Sequence, residues 1–243
     1  MAGGTPLRRA RRACRGSQHG ACEKARASLV SHGLKKSLRN EIPRKAVYRL
    51  SLYRRCLLRL KSNGIRTVSS EALATAAGVK STQLRKDLTY FGQFGTRGLG
   101  YDVEQLAKMI SDLLGTNSLQ PVVLVGVGNL GMALLAYRGF EPQGFEIVAA
   151  FDLDVSRRRD RKTVQPILGM DRLADFVHER RCKMAILAVP ATAAQEVTNA
   201  LVAAGITGIL NFAPIVPSVP EDVTVNNVNL AIELENLSYF IQE

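Results

Sequence analysis

The sequence predicts an α/β Rossmann-like doubly wound parallel sheet, preceded by an N-terminal winged helix-turn-helix domain. Two short helices joined by a glycine turn, over residues 69–90, predict the helix-turn-helix. A glycine motif stands between an apolar strand and a helix over residues 122–137, and strands alternate with helices after it. Such alternation is typical of a parallel sheet that is covered on both faces.

Charge is distributed unevenly along the 243 residues, whose net charge is +12. Residues 1–41 carry ten Lys/Arg against two Asp/Glu, residues 42–101 carry twelve against two, and residues 102–243 carry eleven against seventeen. A basic part beside an acidic part is expected when one domain meets phosphates and the other does not. We therefore expect the N-terminal half to meet phosphates, and the helix-turn-helix predicted within it makes double-stranded DNA the expected partner.

Composition excludes several classes of protein. No apolar run approaches the length of a membrane span, and no segment near the start resembles a signal peptide. The four cysteines have neither C-x-x-C spacing nor a histidine at metal-ligand spacing, so we expect reduced thiols, no metal and a cytoplasmic protein. The three histidines are scattered and no Ser/His/Asp set is recognisable, so we expect no catalytic residues and no enzyme.

Residues 1–41 form a basic tail without sustained apolar periodicity, which predicts disorder. Three interpretations stay open at this point. The segment is a neutral tail or the product of a mistaken upstream start, a basic arm that adds nonspecific DNA affinity, or an Arg-rich transit peptide.

The predicted DNA-binding domain spans residues 42–101 and begins with a helix after Pro43. Asn63 and Gly64 are the signal that ends this helix. Apolar residues at steps of three and four mark its inward face: Val47, Leu50, Tyr53, Leu57 and Leu60. Cations mark the opposite face: Arg44, Lys45, Arg49, Arg54, Arg55 and Arg59.

The helix-turn-helix follows. Ser69 is positioned to cap a short helix to Ala77, the turn Gly78–Lys80 follows, and Ser81 is positioned to cap a second helix to Tyr90. Such second helices meet base edges and phosphates in the major groove. The candidate DNA-binding residues on and beside it are Lys80, Ser81, Gln83, Arg85, Lys86 and Tyr90. The alternative is a solvated basic helix in an ordinary helical subdomain.

Residues 91–101 interleave glycines, aromatic residues and one arginine, which predicts a β-hairpin wing. Arg97 stands at its tip, where a basic residue can enter a minor groove. The connector, residues 102–118, follows as a helix that Asp102 caps, with Val103, Leu106, Ile110 and Leu113 on one face.

The predicted NAD(H)-binding domain spans residues 119–229. Its glycines have G-x-G-x-x-G spacing: Gly126 permits the tight turn, Gly128 lets backbone approach a pyrophosphate, and Gly131 lets helix lie close on strand. The first helical turn, with Asn129 and Leu130, offers free N–H groups to the phosphates. Asp152 follows about 20 residues later, where a carboxylate binds a ribose 2′-hydroxyl. The alternative is a plain βαβ crossover with a structural glycine turn.

The rest of the domain alternates between helices (171–181, 192–204) and strands (184–189, 206–210, 223–228). Ligands of doubly wound sheets bind outside the carboxyl ends of strands, so two strand-end loops are further cofactor candidates. They contribute Ala188, Val189 and Pro190, and then Asn211 and Phe212. A last helix, within 230–243, has an apolar seam that covers either its own sheet or a partner subunit.

The segment from Gln83 to Tyr101, the glycine motif and Asn211–Pro214 resemble the Rex family of bacterial redox-sensing transcriptional repressors, from about Ile42 to the C-terminus. The resemblance implies a homodimer that exchanges its last helix, binds palindromic operators and is released by NADH. It also implies that Arg55 couples the domains and that Tyr137 lies beside the nicotinamide.

One residue departs from the family pattern. Asn229 stands where the family has an Asp that pairs with the coupling Arg or the Tyr. An amide cannot form a charge-assisted pair, which is roughly twice as strong as a neutral hydrogen bond, so we predict a weakened or altered NADH switch.

Three alternatives to an NAD(H)-sensing repressor stay open. One is a small NAD-dependent dehydrogenase with a basic N-terminal module, although few residues remain to build a catalytic domain. Another is a module that binds CoA or a nucleotide. The third is NADP, because Arg157, Arg158 and Arg159 could offset the repulsion between Asp152 and a 2′-phosphate. We favour NAD(H) as a signal rather than a reagent.

Overall fold

A computed structural model describes residues 42–92, 99–154 and 163–241. The basic tail, Arg97 at the predicted wing tip and the arginines at 157–159 lie outside these ranges. The chain divides into two compact units, residues 1–114 and residues 115–243, and each is described by itself.

The N-terminal unit consists of four helices and a two-stranded sheet over its described residues. The helices are α1 (Arg44–Ser62), α2 (Ser70–Ala76), α3 (Ser81–Thr89) and α4 (Val103–Leu114). The strands β1 (Thr67–Val68) and β2 (Tyr101–Asp102) pair antiparallel. Leu50, Tyr53 and Leu57 of α1 form the core of this unit with side chains from the other three helices.

Helix α1 differs from its prediction in which side chains point inward. Val47 is 40% exposed, whereas Arg54, assigned to the cationic face, is only 8% exposed. Arg49 also turns inward, towards α3. Ala46 is fully buried and takes the place expected of Val47. The helix ends at Asn63 and Gly64 as predicted.

The helix-turn-helix prediction is correct except at one cap. Ser69 caps α2, because its side chain accepts a hydrogen bond from the N–H of Ala72 at 3.0 Å. Gly78 adopts the left-handed conformation that the turn needs. The N-cap of α3, however, is Lys80, and Ser81 is the first helical residue. A lysine has no side-chain acceptor, so no side chain caps this helix.

Two further differences concern the segment after α3. Tyr101 pairs with Val68, so the strand that follows the predicted wing uses a partner located before the helix-turn-helix. The predicted connector helix, α4, is capped by Asp102 as expected, yet it packs on α1 within the N-terminal unit. Leu113, expected on the buried face of α4, is 39% exposed.

The C-terminal unit contains a parallel sheet with strand order β5-β4-β3-β6-β7-β8. Its strands are β3 (Gln120–Val125), β4 (Phe145–Asp152), β5 (Ile167–Gly169), β6 (Met184–Leu187), β7 (Gly208–Asn211) and β8 (Thr224–Asn227). This is the 3-2-1-4-5-6 order of a doubly wound dinucleotide-binding sheet, and its switch point lies between β3 and β6. The predicted fold class is therefore confirmed.

The described part of this unit also contains four α-helices. They are α5 (Asn129–Ala136), α6 (Leu173–Glu179), α7 (Ala191–Ala203) and α8 (Leu230–Phe240), with short 3₁₀ turns at Glu141–Gln143 and Met170–Arg172. Two buried clusters fill this unit, one containing Val123 and Phe151 and the other containing Val122 and Leu124. Alternation along β3 sends Val123 to one face of the sheet, and Val122 and Leu124 to the other.

The sequence did not predict β5, and it predicted α6 as a longer helix from residue 171 to residue 181. The observed helix begins at Leu173 after a 3₁₀ turn and ends at Glu179. Among the described residues, no helix is both long enough and apolar enough to cross a membrane.

Candidate dinucleotide site and nucleic-acid interface

The glycine turn lies where β3, β6 and α5 meet. Gly126 has a φ of +96°, and its N–H donates to the carbonyl of Phe151 at 2.9 Å. A Cβ on Gly126 would overlap the carbonyl oxygen of Ala188, and one on Gly131 would overlap the carbonyl oxygen of Gly126. Both positions therefore exclude a side chain, because backbone occupies the space that it would need.

Gly128 has a different reason to be glycine. It has an ordinary φ of −67°, and a Cβ there would meet nothing within 4 Å. It is the N-cap of α5, and no side chain caps that helix. The first N–H groups of α5, including those of Asn129 and Leu130, have no partner within the helix. This end of α5 can accept a phosphate.

Asp152 ends β4 and is tied to the glycine turn. Its Oδ2 accepts the N–H of Val127 at 2.7 Å, and its Oδ1 accepts the N–H of Asp154 at 3.1 Å. Each carboxylate oxygen has a second lone pair, so the half-buried carboxylate can still accept from hydroxyl groups. The structure therefore places the predicted ribose acceptor beside the predicted pyrophosphate turn.

The two strand-end loops lie at the same edge of the sheet as the glycine turn. The Ala188 N–H donates to the carbonyl of Val125, and the Phe212 N–H donates to the carbonyl of Leu187, both at 2.8 Å. Val189 is half-buried, and Pro190 is the exposed N-cap of α7. These contacts continue the site from β3 across β6 to β7.

Asn211 is part of this edge, but its side chain is fully buried. Its amide nitrogen donates to the carbonyl of Ile215 at 2.7 Å and to Oδ1 of Asn227 at 2.8 Å. Its amide oxygen accepts the N–H of Ala213 at 2.9 Å. The Asn211 side chain thus shapes the loop and ties it to β8, which leaves the half-buried Phe212 as the side chain nearer to a ligand.

Tyr137 lies away from the glycine turn. It is the C-cap of α5, and an eight-residue helix separates it from Gly128 by about 12 Å. The residue is 59% exposed, and its ring packs edge-to-face on Phe140 with a centroid distance of 5.0 Å. A cavity of about 230 Å³ lies beside it, with Arg138 and Glu141 in its wall. Within this unit the structure does not bring Tyr137 to the phosphate end.

The helix-turn-helix presents a basic surface. Lys80, Arg85, Lys86 and Tyr90 are exposed along α3. The Arg85 guanidinium donates to Oγ of Ser81 at 3.4 Å, so the two lie on one face. The described part of this helix therefore offers cations and hydrogen-bond donors, as predicted for a nucleic-acid interface.

Gln83 faces the edge of that surface and contacts a buried carboxylate. Its Nε2 donates to Oδ1 of Asp87 at 2.8 Å. Asp87 is fully buried, and it also accepts from Nε and Nη2 of Arg49, at 2.6 and 2.7 Å, and from the hydroxyl of Tyr53 at 2.8 Å. These four residues, Asp87, Arg49, Tyr53 and Gln83, form the Asp87 cluster, which joins α3 to α1 and which no sequence pattern predicts.

Hydrogen-bond donors around Asp87 keep its carboxylate charged. Burial alone would raise the pKa of Asp87, but hydrogen bonds from Arg49, Tyr53 and Gln83 outweigh it and lower the pKa. The hydrogen bond to Asp87 raises the pKa of Arg49. Burial, with Asp87, raises the pKa of Tyr53. The cluster is therefore an ion pair with two further neutral donors.

The three predicted switch residues are divided between the two units, with Arg55 in the N-terminal unit. Arg55 is exposed on α1, next to the buried Arg54, whose Nε donates to Oγ of Ser111 at 2.9 Å. Tyr137 and Asn229 belong to the C-terminal unit. Asn229 is the N-cap of α8, because its Oδ1 accepts the N–H of Ala231 at 3.0 Å. No sequence pattern predicts this capping role of Asn229.

The N-terminal unit has a helix-turn-helix with a basic surface, and the C-terminal unit has a doubly wound sheet with a dinucleotide turn. Together they define a class of proteins that combine a nucleic-acid interface with a nucleotide site in one chain. Comparisons with known proteins agree. Residues 41–89 match a family model described as a putative DNA-binding protein N-terminus, and residues 117–215 match a CoA binding domain.

Curated relatives cover most of the chain. The redox-sensing transcriptional repressor Rex of Carboxydothermus hydrogenoformans is 47% identical over 83% of this chain and 97% of its own length. The Rex repressor of Streptomyces coelicolor is 48% identical over 83% of this chain and 78% of its own length. This chain belongs to the Rex family of redox-sensing transcriptional repressors. Its relatives are regulators rather than enzymes.

Solved structures show the same fold. RSP in complex with beta-NAD+ and operator DNA is 35% identical, with a TM-score of 0.76 over 82% of this chain and 92% of that one. RSP in complex with beta-NADH is 33% identical, with a TM-score of 0.72 over 82% and 94%.

Proposed function

We propose that this protein is a DNA-binding transcriptional repressor that senses the NADH/NAD⁺ ratio and is released from a palindromic operator by NADH. The observation that carries the proposal is the presence of both sites in one chain: the basic face of α3, and the glycine turn with Asp152 beside it. Its family and the ligands of the solved neighbours support this combination.

DNA binding rests on α3. Lys80, Arg85, Lys86 and Tyr90 supply phosphate and base contacts, with Ser81 and Gln83 on the same element. Arg97 is proposed to enter the adjacent minor groove. Each cation that neutralises a phosphate releases a counterion, so affinity falls as salt rises. The acidic C-terminal half keeps the second unit away from phosphates.

NAD(H) is favoured over CoA by the position of Asp152. A carboxylate beside the glycine turn accepts from the two ribose hydroxyls of an adenine dinucleotide. CoA has a 3′-phosphate on that ribose, and a carboxylate repels it. We assign the pyrophosphate to Gly126, Gly128 and Gly131, and further cofactor contacts to Val189 and Phe212.

The assembly is proposed to be a homodimer in the cytoplasm. Helix α8 and its C-cap residue leave their apolar side chains uncovered: Leu230, Ile232, Leu234, Leu237, Tyr239, Phe240 and Ile241. The least exposed of them, Ile232, is still 51% exposed, so in the described chain this seam does not cover its own sheet. A second copy that exchanges this helix would bury it, and two helix-turn-helix domains then match a palindrome.

The binding half of the proposal is tested by NADH fluorescence. Wild type is expected to bind NADH and NAD⁺ and to discriminate against NADPH, because Asp152 repels a 2′-phosphate. Asp152→Asn keeps the size and one acceptor oxygen, and it should lose most of the discrimination. Equal affinity for NADH and NADPH in wild type would contradict the assignment of Asp152.

The switch is proposed to be weakened or altered by Asn229. Asp is as good an N-cap as Asn, so Asn229→Asp should leave α8 intact while it restores a charged partner for Arg55 or Tyr137. We expect Asn229→Asp to release more operator DNA at equal NADH occupancy. The measurement is fluorescence anisotropy of a labelled operator at fixed salt, and equal fractional release by the two proteins would count against the proposed role of Asn229.

A further inference from the structure

Gln83 lies between the buried and exposed sides of α3. Lys86 and Tyr90, three and seven residues further on, share its exposed face. Asp87, four residues on, is the fully buried acceptor of its amide. Gln83 itself is half-buried. It therefore has one side in the Asp87 cluster and the other towards the basic surface.

The orientation of the Gln83 amide follows from chemistry. An ionised carboxylate only accepts hydrogen bonds, so the nitrogen and not the oxygen of the amide must face Asp87. The reversed amide would place two oxygens at 2.8 Å without a proton between them. Asp87 cannot turn to accommodate it, because Arg49 and Tyr53 hold both of its oxygens.

We propose that Asp87 fixes the amide of Gln83 so that α3 presents the Oε1 oxygen to DNA, which makes Gln83 a specificity-determining residue for a base with an exocyclic amine. This inference rests on the proposed DNA binding. In the major groove such amines are N6 of adenine and N4 of cytosine, whereas guanine and thymine present the acceptors O6 and O4. Guanine and thymine would set oxygen against oxygen. The second amide hydrogen remains for N7 of adenine.

The test begins with selection of operators from a randomised palindromic library by wild type, Gln83→Met and the control Gln105→Met. Gln105 is exposed on α4. Wild type and the control should share a preferred base pair at one half-site position, where the amine of its adenine or cytosine donates to Gln83. In Gln83→Met the preference for that base pair should fall by roughly 5- to 150-fold, whereas the preferences at the other positions should be unchanged.

A second measurement needs no variant. The selected base in the wild-type operator is replaced by its analogue without the amine, purine for adenine or 2-pyrimidinone for cytosine. Wild type should lose the same factor in affinity. Where Gln83→Met folds, as judged by its thermal midpoint, it should not respond to the analogue.

Two results would overturn the inference: no half-site position whose selection depends on Gln83, or a wild-type protein that ignores the analogues at that position. If wild type selects no sequence and binds no duplex at low salt, then the proposed DNA binding itself fails. The two failures are therefore distinguishable.

Discussion

Single residues of the glycine turn have separable jobs. A Cβ at Gly131 would overlap the carbonyl oxygen of Gly126, whereas a Cβ at Gly128 would meet nothing within 4 Å. The fold therefore requires glycine at position 131. Glycine at position 128 is required only by a ligand that must approach the backbone closely.

Substituting these two glycines should separate folding from binding. Gly131→Ala should destabilise the protein by about 1 to 3 kcal/mol, as overpacking does. Gly128→Ala should keep or raise the thermal midpoint, because alanine fits its backbone, and should still weaken NADH binding. Thermal unfolding and NADH fluorescence measure the two effects. A Gly128→Ala protein that binds NADH with wild-type affinity would contradict a pyrophosphate at this turn.

A second prediction concerns the contribution of Asp87 to the stability of the N-terminal unit. Asp87→Asn removes one charge from a pair whose acid is fully buried and whose Arg49 side chain is 21% exposed. We expect a loss of about 2 to 3 kcal/mol at neutral pH, somewhat below the loss for a fully buried pair. Urea unfolding measures it, and Asp102→Asn, at an exposed cap, is the control.

The pH dependence of this difference follows from the lowered pKa of Asp87. A carboxyl whose folded pKa is lowered contributes stability that is fully present above its unfolded pKa, about 3.9, and lost as pH falls through the folded value. The gap between wild type and Asp87→Asn should therefore be constant near neutrality and shrink below about pH 4. A gap that widens in acid would contradict an ionised Asp87.

The glycines and Asp87 differ in how far the sequence predicts them. The glycine motif and Asp152 have a fixed spacing within one βαβ unit, so their positions could be predicted. The Asp87 cluster joins residues 34 and 38 positions apart, and no local pattern marks Arg49 as different from the other arginines of α1. Only the packing of α3 on α1 brings them together.

At the scale of elements, long periodic segments were predictable and short ones were not. Helix α1 and strand β3 lie where their apolar patterns predict. Strand β5 has three residues and β1 and β2 have two each, too few for a period-2 pattern to be recognised. Their pairing partners, not their sequences, make them strands.

A prediction about a whole element concerns helix α8 and the proposed dimer. Replacing Leu234 and Leu237 together with Glu should convert dimers to monomers, because both are at least 60% exposed and a single chain gains nothing by keeping them apolar. The monomer should bind operator DNA weakly, since one half-site is lost. Sedimentation measures the assembly, and Glu235→Gln on the same helix is the control. A monomeric wild type would exclude the exchanged helix.

At the scale of the whole molecule, charge separates two tasks along one chain. The basic N-terminal half fits DNA and the acidic C-terminal half fits a site that must stay clear of it. A ligand in the second unit can release DNA only if it binds the released state more tightly than the DNA-bound state. NADH and NAD⁺ must therefore differ in that preference, whatever their affinities for the free protein.

The most direct measurement is the release of a labelled palindromic duplex, followed by fluorescence anisotropy at fixed salt with NADH, NAD⁺ and NADPH titrated separately. We expect NADH to release the duplex, NAD⁺ to compete with NADH without releasing it, and NADPH to be inactive at the same concentration. We also expect no oxidation of NADH when small carbonyl compounds are added. Tight DNA binding that ignores all three nucleotides would contradict a redox sensor. Absence of binding at every salt concentration would contradict a repressor.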